Sequence, residues 1–143
     1  MDGKRIAMPL FSMLIMLQFT LLLIEFVIGM AVNLYVSIPE PLKGSFFMSS
    51  SAVALLVHIG LGALVAVLGV LIFFMALMKG NRRNILFTAF AFIFVVAAAI
   101  SGLVFLFDGQ NPAFSLFMAV FFVFAFSAYL FPLAQSVKGQ FQS

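Results

Sequence analysis

The chain has 143 residues, 66% of them hydrophobic and 8% charged, with a net charge of +3 and a mean hydropathy of +1.31. Ordinary soluble domains carry about 25% charged residues. Seven Lys/Arg and four Asp/Glu cannot cover such a surface without leaving large apolar patches, so the solvent is mainly lipid. That excludes nucleic-acid modules and most soluble enzyme classes, and the absence of cysteine excludes a disulfide-framed secreted fold.

Four apolar stretches follow in order, Ile6 to Ile38, Ala52 to Met78, Ile85 to Phe107 and Ala113 to Ala134. Each exceeds the roughly 18–20 residues that cross a hydrocarbon core. None alternates in polarity as a barrel strand would, and only a helix satisfies its own backbone in lipid. Pro39 and Pro41 end the first helix, Ser49 to Ser51 offer caps for the second, and Gly80 with Asn81 marks its exit. Asp108-Gly109 stops the third, and Asn111-Pro112 is a cap and first-turn pair for the fourth. The expected fold over residues 1–143 is one all-α domain, an integral membrane four-helix antiparallel bundle joined by short connections.

Lys4, Arg5, Lys79, Arg82, Arg83 and Lys138 fall in the two tails and the second loop, and only Lys43 lies in a loop of the other side. As topology anchors they predict cytoplasmic N and C termini for a multi-pass protein of the cell (cytoplasmic) membrane. The basic excess is expected to meet anionic lipid headgroups, not nucleic acid. A cleaved signal peptide ending near Gly29-Met30-Ala31 is the rival reading of the first span. Its apolar run is longer than an h-region of about 7–15 residues.

Two ionisable residues lie inside the spans, Glu25 and His58, and ionisable groups in lipid default to functional candidates. With about 1.5 Å of rise per residue, Glu25 stands roughly 15 Å below Tyr35 and His58 roughly 9 Å below Ala52, so both belong to the outer half. At 100° per residue Gln18, Glu25, Gly29 and Val32 share one face of the first helix, with Asn33 at its margin. His58, Gly62, Val65 and Gly69 form a stripe on the second, where small residues leave a groove for a helix or a flat ligand. Ser101 on the third helix and Met118 on the fourth are expected near the depth of His58, and Ser115, Met118, Phe122 and Tyr129 share one side. Gln18, Asn33 and Ser115 complete an expected polar layer.

One histidine and one glutamate fall short of a zinc site. No phosphate-binding glycine loop, CxxC or arginine ladder is present. Haem b is the sharper possibility, with His58 and Met118 as axial ligands and Gly62 and Gly69 making room for the macrocycle. The plain alternative is that Glu25 and His58 hydrogen-bond each other or a carbonyl and fix helix register.

The run Leu17-Gln18-Phe19, Gly29-Met30, Asn33-Leu34-Tyr35-Val36 and Pro39, followed by His58 and Gly62, resembles a group of small four-span proteins of prokaryotic membranes. In plan the chain is also similar to one four-helix half of haem A synthase, where a first-helix glutamate and histidines on the second and fourth helices serve the haem. Glu25 and His58 match that plan, while Ser115 and Met118 stand in the neighbourhood of the fourth-helix histidine.

The leading expectation is a non-enzymatic ligand-binding or partner subunit with Glu25, His58 and Ser101 in a polar outer layer. A b-type haem or quinone-associated redox protein using His58, and a proton or small-solute pathway using Glu25, are the alternatives. The expected partners are the bilayer and either a second copy or the subunits of a larger membrane complex.

Overall fold

The computed structural model describes residues 10–39 and 44–141, and over these it contains no strand. Its elements are α1 (Leu10–Tyr35), a short 3-10 turn (Gly44–Met48), α2 (Ser50–Lys79), α3 (Arg82–Phe107) and α4 (Pro112–Phe141). All four α-helices are long and apolar enough to cross a membrane. The chain is an all-helical, multi-pass membrane protein.

The helix ends follow local chemistry. α1 stops at Tyr35, short of the expected Ile38, because the backbone before Pro39 is driven out of the α region. Its expected start at Ile6, and with it Lys4, Arg5 and Lys43, lies outside the described residues. Ser49 caps α2, its hydroxyl accepting from Ala52 N–H at 3.3 Å, and Gly80 closes it at φ 69, where a side chain would be strained. Asn81 does more than mark that exit. Its Oδ1 accepts from the N–H groups of Arg83 at 3.1 Å and Asn84 at 3.4 Å, so α3 begins at Arg82 and not at Ile85.

Asn111 Oδ1 accepts from Ala113 N–H at 3.0 Å, placing Pro112 where its missing N–H has no partner to lose. α4 then runs past the expected Ala134 to Phe141 and straight through Pro132. Residues 135–141 are largely polar, and a helix need not end where its apolar run does. Pro132 is itself buried, so neighbouring packing holds the helix across the lost hydrogen bond.

α1 and α2 meet along one ladder. Gln18 lies against Gly69, Glu25 against Gly62, and Gly29 against His58. Residue numbers fall on α2 as they rise on α1, and the two numbers of every rung share one sum. Leu22 with Val65, Ile15 with Ile72 and Val32 with Leu55 fit the same register, each pair within one buried cluster. Rung spacing alternates three and four residues, the repeat that keeps a helix seam closed.

A second ladder joins α3 and α4, which share the most extensive interface. Gly102 receives Met118, Phe94 stacks on Phe124 at 5.1 Å and Phe87 on Phe131 at 4.2 Å. α1 and α4 touch more sparsely, through Phe19 on Phe126 at 4.2 Å and Phe26 on Phe122 at 5.6 Å. The rings expected to pack helices therefore do so in interlocked pairs, where offset stacking adds to area burial.

Candidate functional site

His58 Nδ1 lies 2.8 Å from Glu25 Oε1, with the two side chains 20% and 8% exposed. The approach lacks the alignment of a hydrogen bond, and Glu25 Oε2 has no partner at all. Two glycines make the meeting possible. A Cβ on Gly62 would stand 3.1 Å from Glu25 Oε1, and one on Gly29 would stand 2.9 Å from His58 Cε1. Each polar side chain therefore lies in a notch on the other's helix.

The two stripes singled out in the sequence face each other, and the occupants of the grooves are the protein's own side chains. Gly69 illustrates this at the bundle centre. Its missing Cβ leaves room for the Tyr129 hydroxyl at 3.3 Å, Phe92 at 3.3 Å and the Gln18 amide at 3.7 Å. Gln18 Nε2 uses the opening to donate to the Val65 carbonyl at 2.9 Å. Gln18 and Tyr129 are both fully buried, yet Gln18 Oε1 and the Tyr129 hydroxyl lack hydrogen-bond partners.

Of the expected outer polar layer, Asn33 and Ser115 do meet, Ser115 Oγ donating to Asn33 Oδ1 at 3.2 Å and tying α4 to α1. Among the hydrogen bonds of the described residues, Ser101 makes none to Glu25 or His58. Its hydroxyl donates to its own helix at Ala97 O, 2.9 Å away, the local bond that serines prefer when no better acceptor is presented. Lys79, Arg82, Arg83 and Lys138 are all exposed, and Lys79 Nζ also caps the Phe11 ring at 4.5 Å, a cation–π contact at the end of the first hairpin.

Sequence reasoning passed over Thr88 and Asn84 on α3. Thr88 is fully buried, its hydroxyl donating to Asn84 O at 2.7 Å, and Asn84 Oδ1 is buried without a partner. The available signal was the run Thr88, Ala91, Val95, Ala98, Gly102, which repeats the three-four spacing of a seam.

A haem between the helices would need the Gly62 and Gly69 notches and a free Met118 sulfur. The notches hold Glu25, Tyr129 and Phe92, and Met118 Sδ rests 3.1 Å from the Cβ position of Gly102. The residues present therefore do not fit a macrocycle in this packing. Among the described residues no group of three or more His, Cys, Asp or Glu gathers to hold a metal ion. No protein-family model, no curated protein and no solved structure matches the chain.

Proposed function

We propose that the protein is a small, non-enzymatic membrane subunit that binds a hydrogen-bond-donating group, of a small molecule or of an adjoining subunit, at Glu25 and His58. One observation carries this reading: a carboxylate 8% exposed, at membrane depth, with one oxygen against His58 and the other unpartnered. A bare acceptor in hydrocarbon costs several kcal/mol, and a bound donor would offset that cost.

The same reading has an antiparallel bundle in the cell membrane with both termini and the Gly80–Asn81 connection cytoplasmic. The descending α1–α2 ladder and the placement of Lys79, Arg82, Arg83 and Lys138 support it. The test is native mass spectrometry of the protein released from its own membranes in mild detergent. Wild type is expected to carry additional mass that Glu25→Gln loses; identical bare chains from both would contradict the proposal.

A further inference from the structure

The α3–α4 seam keeps one register along its aromatic stretch. Phe94 meets Phe124 and Phe87 meets Phe131, so the two numbers of each rung share one sum. One turn past Phe87 and Phe131, about 6 Å along each axis, the same register sets Arg83 opposite Gln135. One turn further, Lys138 comes level with the turn at Gly80, where nothing lies within 4 Å of the glycine's Cβ position. The seam thus passes from stacked rings to an exposed arginine, a half-buried amide and an exposed lysine beside open space.

The charge at this end is of one sign. Lys79, Arg82, Arg83 and Lys138 are all exposed here, and among the described residues the carboxylates are Glu25, inside the spans, and Asp108, at the far end of α3. The only ion-pair contact among the described residues joins Glu25 to His58, so no described carboxylate neutralises the four cations. They are not equivalent. Lys79 Nζ lies over the Phe11 ring on α1, and Arg82 stands about 100° round the helix from Arg83. Arg83 shares its face with Phe87 and Phe90, and Lys138 continues the face of Phe131 and Gln135, by the three-four spacing of helix neighbours. Phe90, 53% exposed, carries the apolar surface of that rung outward to lipid.

We infer that Arg83, Gln135 and Lys138 form a site for the phosphodiester of an anionic lipid whose headgroup lacks an amine, its acyl chains lying along Phe87 and Phe90. A guanidinium forks onto two phosphate oxygens, the ammonium adds a point charge, and the Gln135 amide adds a neutral donor. Position selects a lipid over free phosphate. Exposed charge pairs in water are worth little, whereas a lipid arrives with its phosphate at this level and adds chain contact below. A headgroup ammonium would face four cations, so zwitterionic lipid is the poorer match. Diffuse attraction of a basic loop to an anionic surface weighs Lys and Arg residues alike; a site on the seam weighs Arg83 and Lys138 above Arg82.

The test is lipid binding by the full-length, delipidated protein in mild detergent, resolved by native mass spectrometry with phosphatidylglycerol as probe and phosphatidylcholine as reference. Wild type is expected to bind phosphatidylglycerol about tenfold more tightly than phosphatidylcholine. Arg83→Gln and Lys138→Gln should each lose most of that preference. Arg82→Gln removes the same charge one residue away and should lose less than about twofold. Arg83→Lys keeps the charge without the fork and should fall between wild type and Arg83→Gln. These side chains are exposed, so the variants should unfold at the wild-type temperature when lipid is absent, and Gln135→Ala reads the same site from α4. Glu25→Gln should bind phosphatidylglycerol as wild type does, so this site and the one at Glu25 and His58 stand or fall separately. Equal losses in Arg82→Gln and Arg83→Gln would reduce the site to diffuse surface attraction and overturn it. Equal binding of the two lipids by wild type, or displacement of phosphatidylglycerol by an equal concentration of inorganic phosphate, would overturn it as well.

Discussion

Glu25 and His58 lie 2.8 Å apart because each occupies the notch of a glycine one turn along the partner helix, Glu25 over Gly62 and His58 over Gly29. The pair and its notches are one unit: filling either notch moves the side chain that lies in it.

Gly29→Ala is accordingly expected to separate the pair. The added Cβ would stand 2.9 Å from His58 Cε1, so the imidazole must move away, at a cost of about 1–3 kcal/mol. Gly60→Ala is the internal control, because nothing lies within 4 Å of its Cβ position and a helical glycine replaced by alanine gains about 0.5–1 kcal/mol. Thermal unfolding in one detergent should move the two variants in opposite directions. Equal shifts would remove the notch from the account.

The contact itself is tested by a double-mutant cycle of Glu25→Gln and His58→Ala. Breaking one side of a buried pair costs roughly 3–5 kcal/mol, and groups in direct contact couple by about 0.5–3 kcal/mol. Glu25 and His58 should therefore lose less together than the sum of their single losses. Additive losses would mean that the two side chains act independently.

The two polar residues at Gly69 should behave differently from each other. Gln18 donates to Val65 O at 2.9 Å, so Gln18→Ala forfeits that bond and leaves a cavity, destabilising by about 2–5 kcal/mol. The Tyr129 hydroxyl is buried without a partner, and Tyr129→Phe is expected to be neutral or stabilising by up to about 1–3 kcal/mol. A marked loss in Tyr129→Phe would reveal a hydrogen bond to this hydroxyl.

At the connection between α2 and α3, Asn81→Ala removes the side chain that accepts from Arg83 and Asn84. A lost N-cap costs about 1 kcal/mol. Gly80→Ala adds strain at φ 69 on a scale of about 1–2 kcal/mol. Both should lower the unfolding temperature measured in one detergent.

How far these relationships are legible in sequence depends on the kind of information each needs. Span number follows from composition, because a low charge density over long apolar runs has few other solutions. The faces bearing Glu25 and His58 follow from the 100° rotation per residue, and the structure sets those two faces against each other. Angles do not say what fills a groove. Gly62 and Gly69 read equally well as room for a flat ligand, and only the rung register shows that Glu25 and Tyr129 occupy them. Depth alone does not give a hydrogen-bond partner either: the Ser101 hydroxyl returns to Ala97 O. α4 outlasts its apolar run because Pro132 and the polar residues after it continue the same helix.

The most direct measurement is a carbon–nitrogen dipolar distance by solid-state NMR between the Glu25 side-chain carboxyl carbon and His58 Nδ1 in lipid bilayers, with assignment simplified because His58 is the only histidine. A contact of 2.8 Å between Nδ1 and Oε1 corresponds to a carbon–nitrogen distance below about 4 Å, and that short distance is the result expected. A distance beyond about 6 Å, outside the range of any direct contact, would contradict the account, since the proposed binding site is built on these two side chains.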